Sequence, residues 1–117
     1  MGEIVRIAYG FGCRKSPRLR LGMPARLITL DRTYPVILED LSEGGARTTL
    51  PVADDFVVCV LRWMDYHGFA DVTWRDNLSV GLQFDKPISV ETLEATGRYV
   101  SELRARVRQG GPGLRRC

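Results

Sequence analysis

Hydrophobic and polar positions alternate with period two from about residue 23 to residue 85, then recur at three- and four-residue steps from Ser89 onward. Turn signals divide the alternating part into six runs, 23–31, 34–41, 45–50, 56–65, 69–75 and 78–85, each of strand length and rich in β-branched or aromatic residues. In the fourth run Val58, Val60, Arg62 and Met64 share one face, and Val57, Cys59, Leu61 and Trp63 the other. One face of each run must fill an interior. Tyr66-His67-Gly68 and Asp76-Asn77 carry hairpin signals, and Ser42 to Gly44 a tighter turn. The pattern predicts a mainly β fold, a six-stranded antiparallel barrel.

After Ser89 the pattern is helical. Ser89 is placed to cap the N-terminus, Glu91 lies in the first turn, and Val90, Leu93, Gly97, Val100, Leu103 and Val107 form an apolar stripe. The stripe predicts a C-terminal α-helix of about 18 residues, packed on an open side or end of the barrel and ended by Gly110-Gly111-Pro112-Gly113. The predicted organisation is an N-terminal segment, 1–13, a domain over 14–109, and a flexible basic tail, 110–117. The first of these holds Ile4, Val5, Ile7, Tyr9 and Phe11, enough apolar surface to dock beside a ligand or partner.

At 117 residues and 44% apolar composition the chain suits one compact core. No run reaches the roughly 18 apolar residues of a membrane span, and the start lacks the pattern of a signal peptide, so a cytoplasmic location is expected. Cys13, Cys59 and Cys117 have no metal-binding spacing, and no cofactor or metal is expected. The net charge of +3 conceals segregation: +5 over residues 1–30, −7 over 31–102 and +5 over 103–117. That distribution suits a local anion site near residues 14–26 better than a basic face for duplex nucleic acid.

Two short motifs carry the candidate chemistry. Arg14-Lys15-Ser16-Pro17-Arg18 offers two guanidinium forks on a segment that Pro17 keeps out of the α region, an extended or turned arm. Each fork can pair with a phosphate, bond the O6 and N7 edge of guanine, or stack on a base. Asp40-Leu41-Ser42-Glu43-Gly44-Gly45 begins 22 residues after Arg18. Asp40 is acceptor-only and suits the N1 and N2 donors of guanine. Ser42 can bond a phosphate or hold the turn, and Gly44 and Gly45 allow close backbone approach.

Arg14-x-x-x-Arg18 followed by Asp40-x-Ser42-x-x-Gly45, with Val80-Gly81-Leu82-Gln83-Phe84 on the last strand, resembles the two-part signature of PilZ domains, bacterial receptors of the second messenger cyclic di-GMP. The resemblance extends over about residues 14–108. It implies a six-stranded barrel with a C-terminal helix, a ligand held by Arg14, Arg18, Asp40, Ser42 and Gly45, and an arginine arm that closes over it. Lys15, Arg20, Gly44 and Arg47 are secondary candidates. Cys13 stands where many members carry a further arginine, so one nucleotide or an intercalated pair are both open. The output would pass through an effector protein that the sequence does not identify.

Catalysis finds no support. His67, the only histidine, lies in a turn signal, Asp54-Asp55 has no nucleophile or metal ligand brought to it by sequence, and no phosphate-binding glycine motif is present. Trp63 and Trp74 read as core or barrel-rim residues. Two alternatives stand beside the receptor reading. One is a PilZ-fold adaptor that binds protein and no nucleotide; the other is a barrel for single-stranded nucleic acid, although residues 14–26 lack the aromatics such a groove needs.

Overall fold

The computed structural model describes residues 18–116, with side chains as far as Arg108. Six strands, β1 (Arg18–Ile28), β2 (Thr33–Ser42), β3 (Gly45–Thr49), β4 (Val58–Trp63), β5 (Tyr66–Asp76) and β6 (Ser79–Phe84), precede one helix, α1 (Val90–Arg116). The strands close into a barrel in the order β1-β2-β3-β6-β5-β4, every pairing antiparallel. The closing seam is short: among the described residues only Arg26–Arg62, Leu27–Leu61 and Ile28–Val60 pair between β1 and β4.

Period-two burial fills this barrel. Leu19, Leu21, Met23, Ala25 and Leu27 of β1 point inward, opposite Tyr34, Val36, Leu38 and Leu41 of β2. On β4 the inward face is Cys59, Leu61 and Trp63, as the alternation predicts. Burial of each large side chain stabilises the fold by about 1.5–3 kcal/mol before the entropy of ordering it is counted. Helix α1 covers one opening with Leu93, Thr96 and Val100. Its start is capped as expected, since the Thr92 amide donates to Ser89 Oγ at 3.0 Å. The Trp63 indole N–H donates to Thr96 Oγ1 at 3.0 Å, and that hydroxyl donates to the Thr92 carbonyl at 2.8 Å, so the largest core side chain has its polar atom paired.

The structure departs from the sequence reading in four places. Strand β1 begins at Arg18, not at residue 23, and turns back after Ile28; Gly22, at φ 69°, sits in a bulge between Arg20 and Met23 that lets the strand run on through what reads as a break. The hairpin expected at Tyr66-His67-Gly68 is one step earlier, at Met64-Asp65, and all three residues belong to β5. Gly68 is there for packing: a Cβ would lie 2.9 Å from the Phe84 ring. The apolar stripe of α1 packs only over its first turns, leaving Leu103 40% and Val107 58% exposed. Finally, α1 continues to Arg116, through the glycine and proline cluster expected to end it. Gly110, Gly111 and Gly113 each lower helix stability by about 1 kcal/mol relative to Ala and Pro112 brings no N–H to the ladder, so this last part of α1 is its weakest. Further along β1, Arg104 of α1 donates to the carbonyl of Leu21 at the bulge.

Candidate functional site

On the outer surface of the barrel, neighbouring strands bring four residues into one row. Asp40 of β2 pairs with Arg47 of β3, Arg47 with Gly81 of β6, and Gly81 with Trp74 of β5. Two bulges set this row. In β2 the register shifts between Leu38 and Asp40, so that Asp40 rather than Glu39 stands opposite Arg47 while Leu41 still enters the core. In β5 it shifts between Val72 and Trp74, so that Trp74 rather than Thr73 stands opposite Gly81. The row and its neighbours Arg18, Ser42 and Gly45 line a surface cavity of about 230 Å³.

Asp40 is 5% exposed although it faces away from the core. Its Oδ2 accepts from Arg47 Nε at 2.7 Å, whereas Oδ1 is buried with no hydrogen-bond partner among the described residues. Such an oxygen costs free energy unless something else donates to it. The hydrogen bond from Arg47, then the carboxylate charge itself, raises the guanidinium pKa still further, so Arg47 stays charged. Contact through Nε alone leaves the terminal amino groups of its fork free of this ion pair.

Ser42 holds the turn, as one of its two sequence readings has it. Its Oγ accepts from the Gly45 amide at 3.2 Å and lies 3.3 Å from the Gly45 carbonyl. Gly45 is required where β3 crosses close to β6: an added Cβ would stand 2.2 Å from the Leu82 carbonyl oxygen. Gly44 has open space around its Cβ position and an ordinary φ. Arg18 pairs with Ser42 across the first two strands and lines the cavity. Arg20 pairs with Asp40 but, like Gly44, is not among the lining residues. Arg14 and Lys15, together with Cys13 and the segment 1–13, lie outside the described residues.

The PilZ domain family matches residues 13–102. The chain belongs to the PilZ family. PilZ is a family of cyclic di-GMP receptors whose domains are typically non-catalytic. Among solved structures, the chain is similar to YcgR of Escherichia coli in complex with c-di-GMP, at 19% identity and a TM-score of 0.47, over 87% of this chain and 50% of that one. It thus spans half the length of that relative. The comparison with curated proteins gave no match.

Within this PilZ domain, Arg18, Asp40, Ser42, Gly45 and Arg47, named from sequence, gather at one cavity. The residue that sequence reasoning passed over is Trp74, read as core or rim. It is 43% exposed and lines the cavity. A bulge leaves no signature in a single sequence, and simple alternation does not place Trp74. The signal that was present is Gly81 in the last strand, whose Cβ would come 2.1 Å from the Trp74 Nε1. Among the described residues no group of three or more metal-ligating side chains occurs, and no helix is long and apolar enough to cross a membrane.

Proposed function

We propose that this PilZ domain is a cytoplasmic receptor of cyclic di-GMP that passes the level of the messenger to a partner protein by rearranging the segment bearing Arg14 and Arg18. The observation that carries the proposal is the buried Oδ1 of Asp40, without a hydrogen-bond partner among the described residues, at a cavity also lined by Arg18 and Arg47. A carboxylate accepts from the N1 and N2 donors of guanine, which adenine does not present in that form, and guanidinium forks neutralise phosphates. Ser42 and Gly45 support the site by fixing the β2 to β3 turn and the close passage of β3 over β6. Arg14 completes the pair with Arg18, with Lys15, Arg20, Gly44 and Arg47 as secondary contacts.

Calorimetric titration with cyclic di-GMP, with GTP and cyclic di-AMP as controls, tests the reading. A lost bidentate contact to guanine removes about 1–3 kcal/mol, so Arg14→Ala and Arg18→Ala should each bind roughly 5- to 150-fold more weakly. Micromolar or tighter, guanine-selective binding is the expected result, and its stoichiometry decides between one nucleotide and an intercalated pair. Absence of binding by the native chain would refute the receptor reading in favour of a protein adaptor. Binding indifferent to the base and steeply dependent on salt would instead indicate a single-stranded nucleic-acid barrel.

A further inference from the structure

The geometry points to a two-fold dimer of this chain, formed by the face that β1, β4 and β5 turn to solvent. Its apolar hollow shares no lining residue with the cavity of Asp40 and Arg47, so the dimer stands or falls apart from the receptor reading. Strand register sorts this face into three rows. Arg26, Arg62 and His67 stand side by side on β1, β4 and β5. A step of two residues on each strand leads to Ile28, Val60 and Phe69, and a second step to Leu30, just past β1, with Val58 and Asp71. Beyond the third row, Asp31, Asp54 and Asp55 border a cavity that Leu30 and Val58 also line. The face is therefore basic at one edge, apolar in the middle and acidic at the other edge. Opposite charges are fewer at each edge: Asp65 near His67, and Arg32 and Arg75 near Asp54.

Several features of the single copy call for a facing surface. Leu30 is 95% and Phe69 62% exposed, and with Ile28, Val58 and Val60 they line a hollow of about 350 Å³. Apolar side chains gathered in this way on a surface mark an interface. Arg26 and Arg62 are direct cross-strand partners, and like charges so placed repel. Among the described residues the only ion pair is Arg47 with Asp40, so Arg26, Arg62 and Asp71 take part in none.

A second copy supplies what is missing, by symmetry. Neighbouring rows lie about 6.6 Å apart, two residues along a strand. A two-fold axis in the interface, parallel to the middle row, lays Ile28, Val60 and Phe69 on the same residues of the copy and reverses the strand direction. The basic row of each copy then faces the acidic edge of the other, with Arg62 and His67 toward Asp71 and Arg26 toward Asp31. An axis along the strands would instead set basic row against basic row. One arrangement thus satisfies the apolar and the charged surfaces together, as a self-complementary interface requires. Within one copy Arg62 and Asp71 do not neutralise each other, because Asp71 pairs with Val58, four residues or about 13 Å along the sheet from Arg62.

Sedimentation equilibrium of the full chain over roughly 1 to 500 μM tests the inference, since association must rise with concentration. The expected result is a monomer–dimer equilibrium. Every substitution is made on both copies, so Phe69→Glu should raise the dimer Kd roughly a hundredfold, and Arg62→Glu or Asp71→Arg roughly tenfold each. A chain carrying Arg62→Glu and Asp71→Arg together should regain most of the native affinity, because the exchanged charges meet across the axis. All three positions are exposed, and thermal midpoints show that each variant remains folded. Should Phe69→Glu fail to fold, the charge variants decide. A native chain that stays monomeric throughout this range overturns the dimer, as does a dimer indifferent to Phe69→Glu. Reversals that weaken association without recovery in the doubly exchanged chain overturn the two-fold arrangement. A chain that dimerises only once residues 2–13 are removed also overturns it, and gives the face to that segment.

Discussion

Two adjacent glycines make opposite predictions although both lie in the same motif. A methyl group on Gly45 would sit 2.2 Å from the Leu82 carbonyl oxygen and 3.3 Å from its carbon, both backbone atoms that cannot swing aside. Moving that contact out to 3.0 Å, below which real Cβ atoms are essentially never found, requires β3 and β6 to part by about 0.8 Å. The neighbouring bond from the Phe84 amide to the Gly44 carbonyl, now 2.8 Å, would stretch to about 3.6 Å and cease to be a hydrogen bond. Leaving a buried amide unpaired costs about 1–3 kcal/mol. With an unfolding entropy near 2.1 cal/mol/K per residue, about 250 cal/mol/K for this chain, Gly45→Ala should lower the thermal midpoint by about 4–12 °C. Gly44→Ala, with nothing within 4 Å of its Cβ position, should stay within about 0.5 kcal/mol of the native chain. Urea and thermal unfolding of the two variants side by side is the assay. A Gly45→Ala variant of native stability that has lost only nucleotide binding would refute the packing argument and make Gly45 a ligand contact alone.

Further predictions concern the helix and the core. Thr96→Val keeps the side-chain shape but removes the acceptor of the Trp63 N–H, so stability should fall by about 1–3 kcal/mol in urea unfolding; an unchanged midpoint would mean that the bond is not what fastens α1 to the barrel. Burial pushes the Cys59 thiol up to about 11, with the Asp71 charge adding to the effect. Below pH 9 the thiol is protonated whether folded or not, and above that the unfolded chain releases its proton first. Cys59 should therefore draw stability down between about pH 9 and pH 11, and Cys59→Ala should decline less steeply across that window than the native chain. Native Cys59 should also resist alkylation at pH 8, measured by mass spectrometry against urea-unfolded protein.

The barrel was legible because its strands bury one face and solvate the other, which writes period two into residues such as Cys59, Leu61 and Trp63. The helix start was legible for a similarly local reason, a serine placed to accept the Thr92 amide. What stayed hidden depends on partners distant in sequence. Gly68 reads as a turn residue until Phe84 is seen above it, and Gly22 reads as lying before a strand that starts at residue 23 until the bulge carries β1 past it. In the site, Asp40, Ser42 and Gly45 announce themselves through residue type and spacing. Trp74 does not, because its place in the cavity lining depends on which residue of β6 it faces, and the bulge that sets this has no period.

Among the described residues the three-pair seam between β1 and β4 leaves β1 from Arg18 to Ala25 without a strand on that side. Such a margin is where foreign chains add on and aggregation begins. Here Pro24 has no N–H to offer, the bulge at Gly22 bends the backbone, and Arg104 already occupies the Leu21 carbonyl. The strand that presents Arg18 is thus protected along its open margin. Extension of the sheet by another strand is disfavoured along this margin.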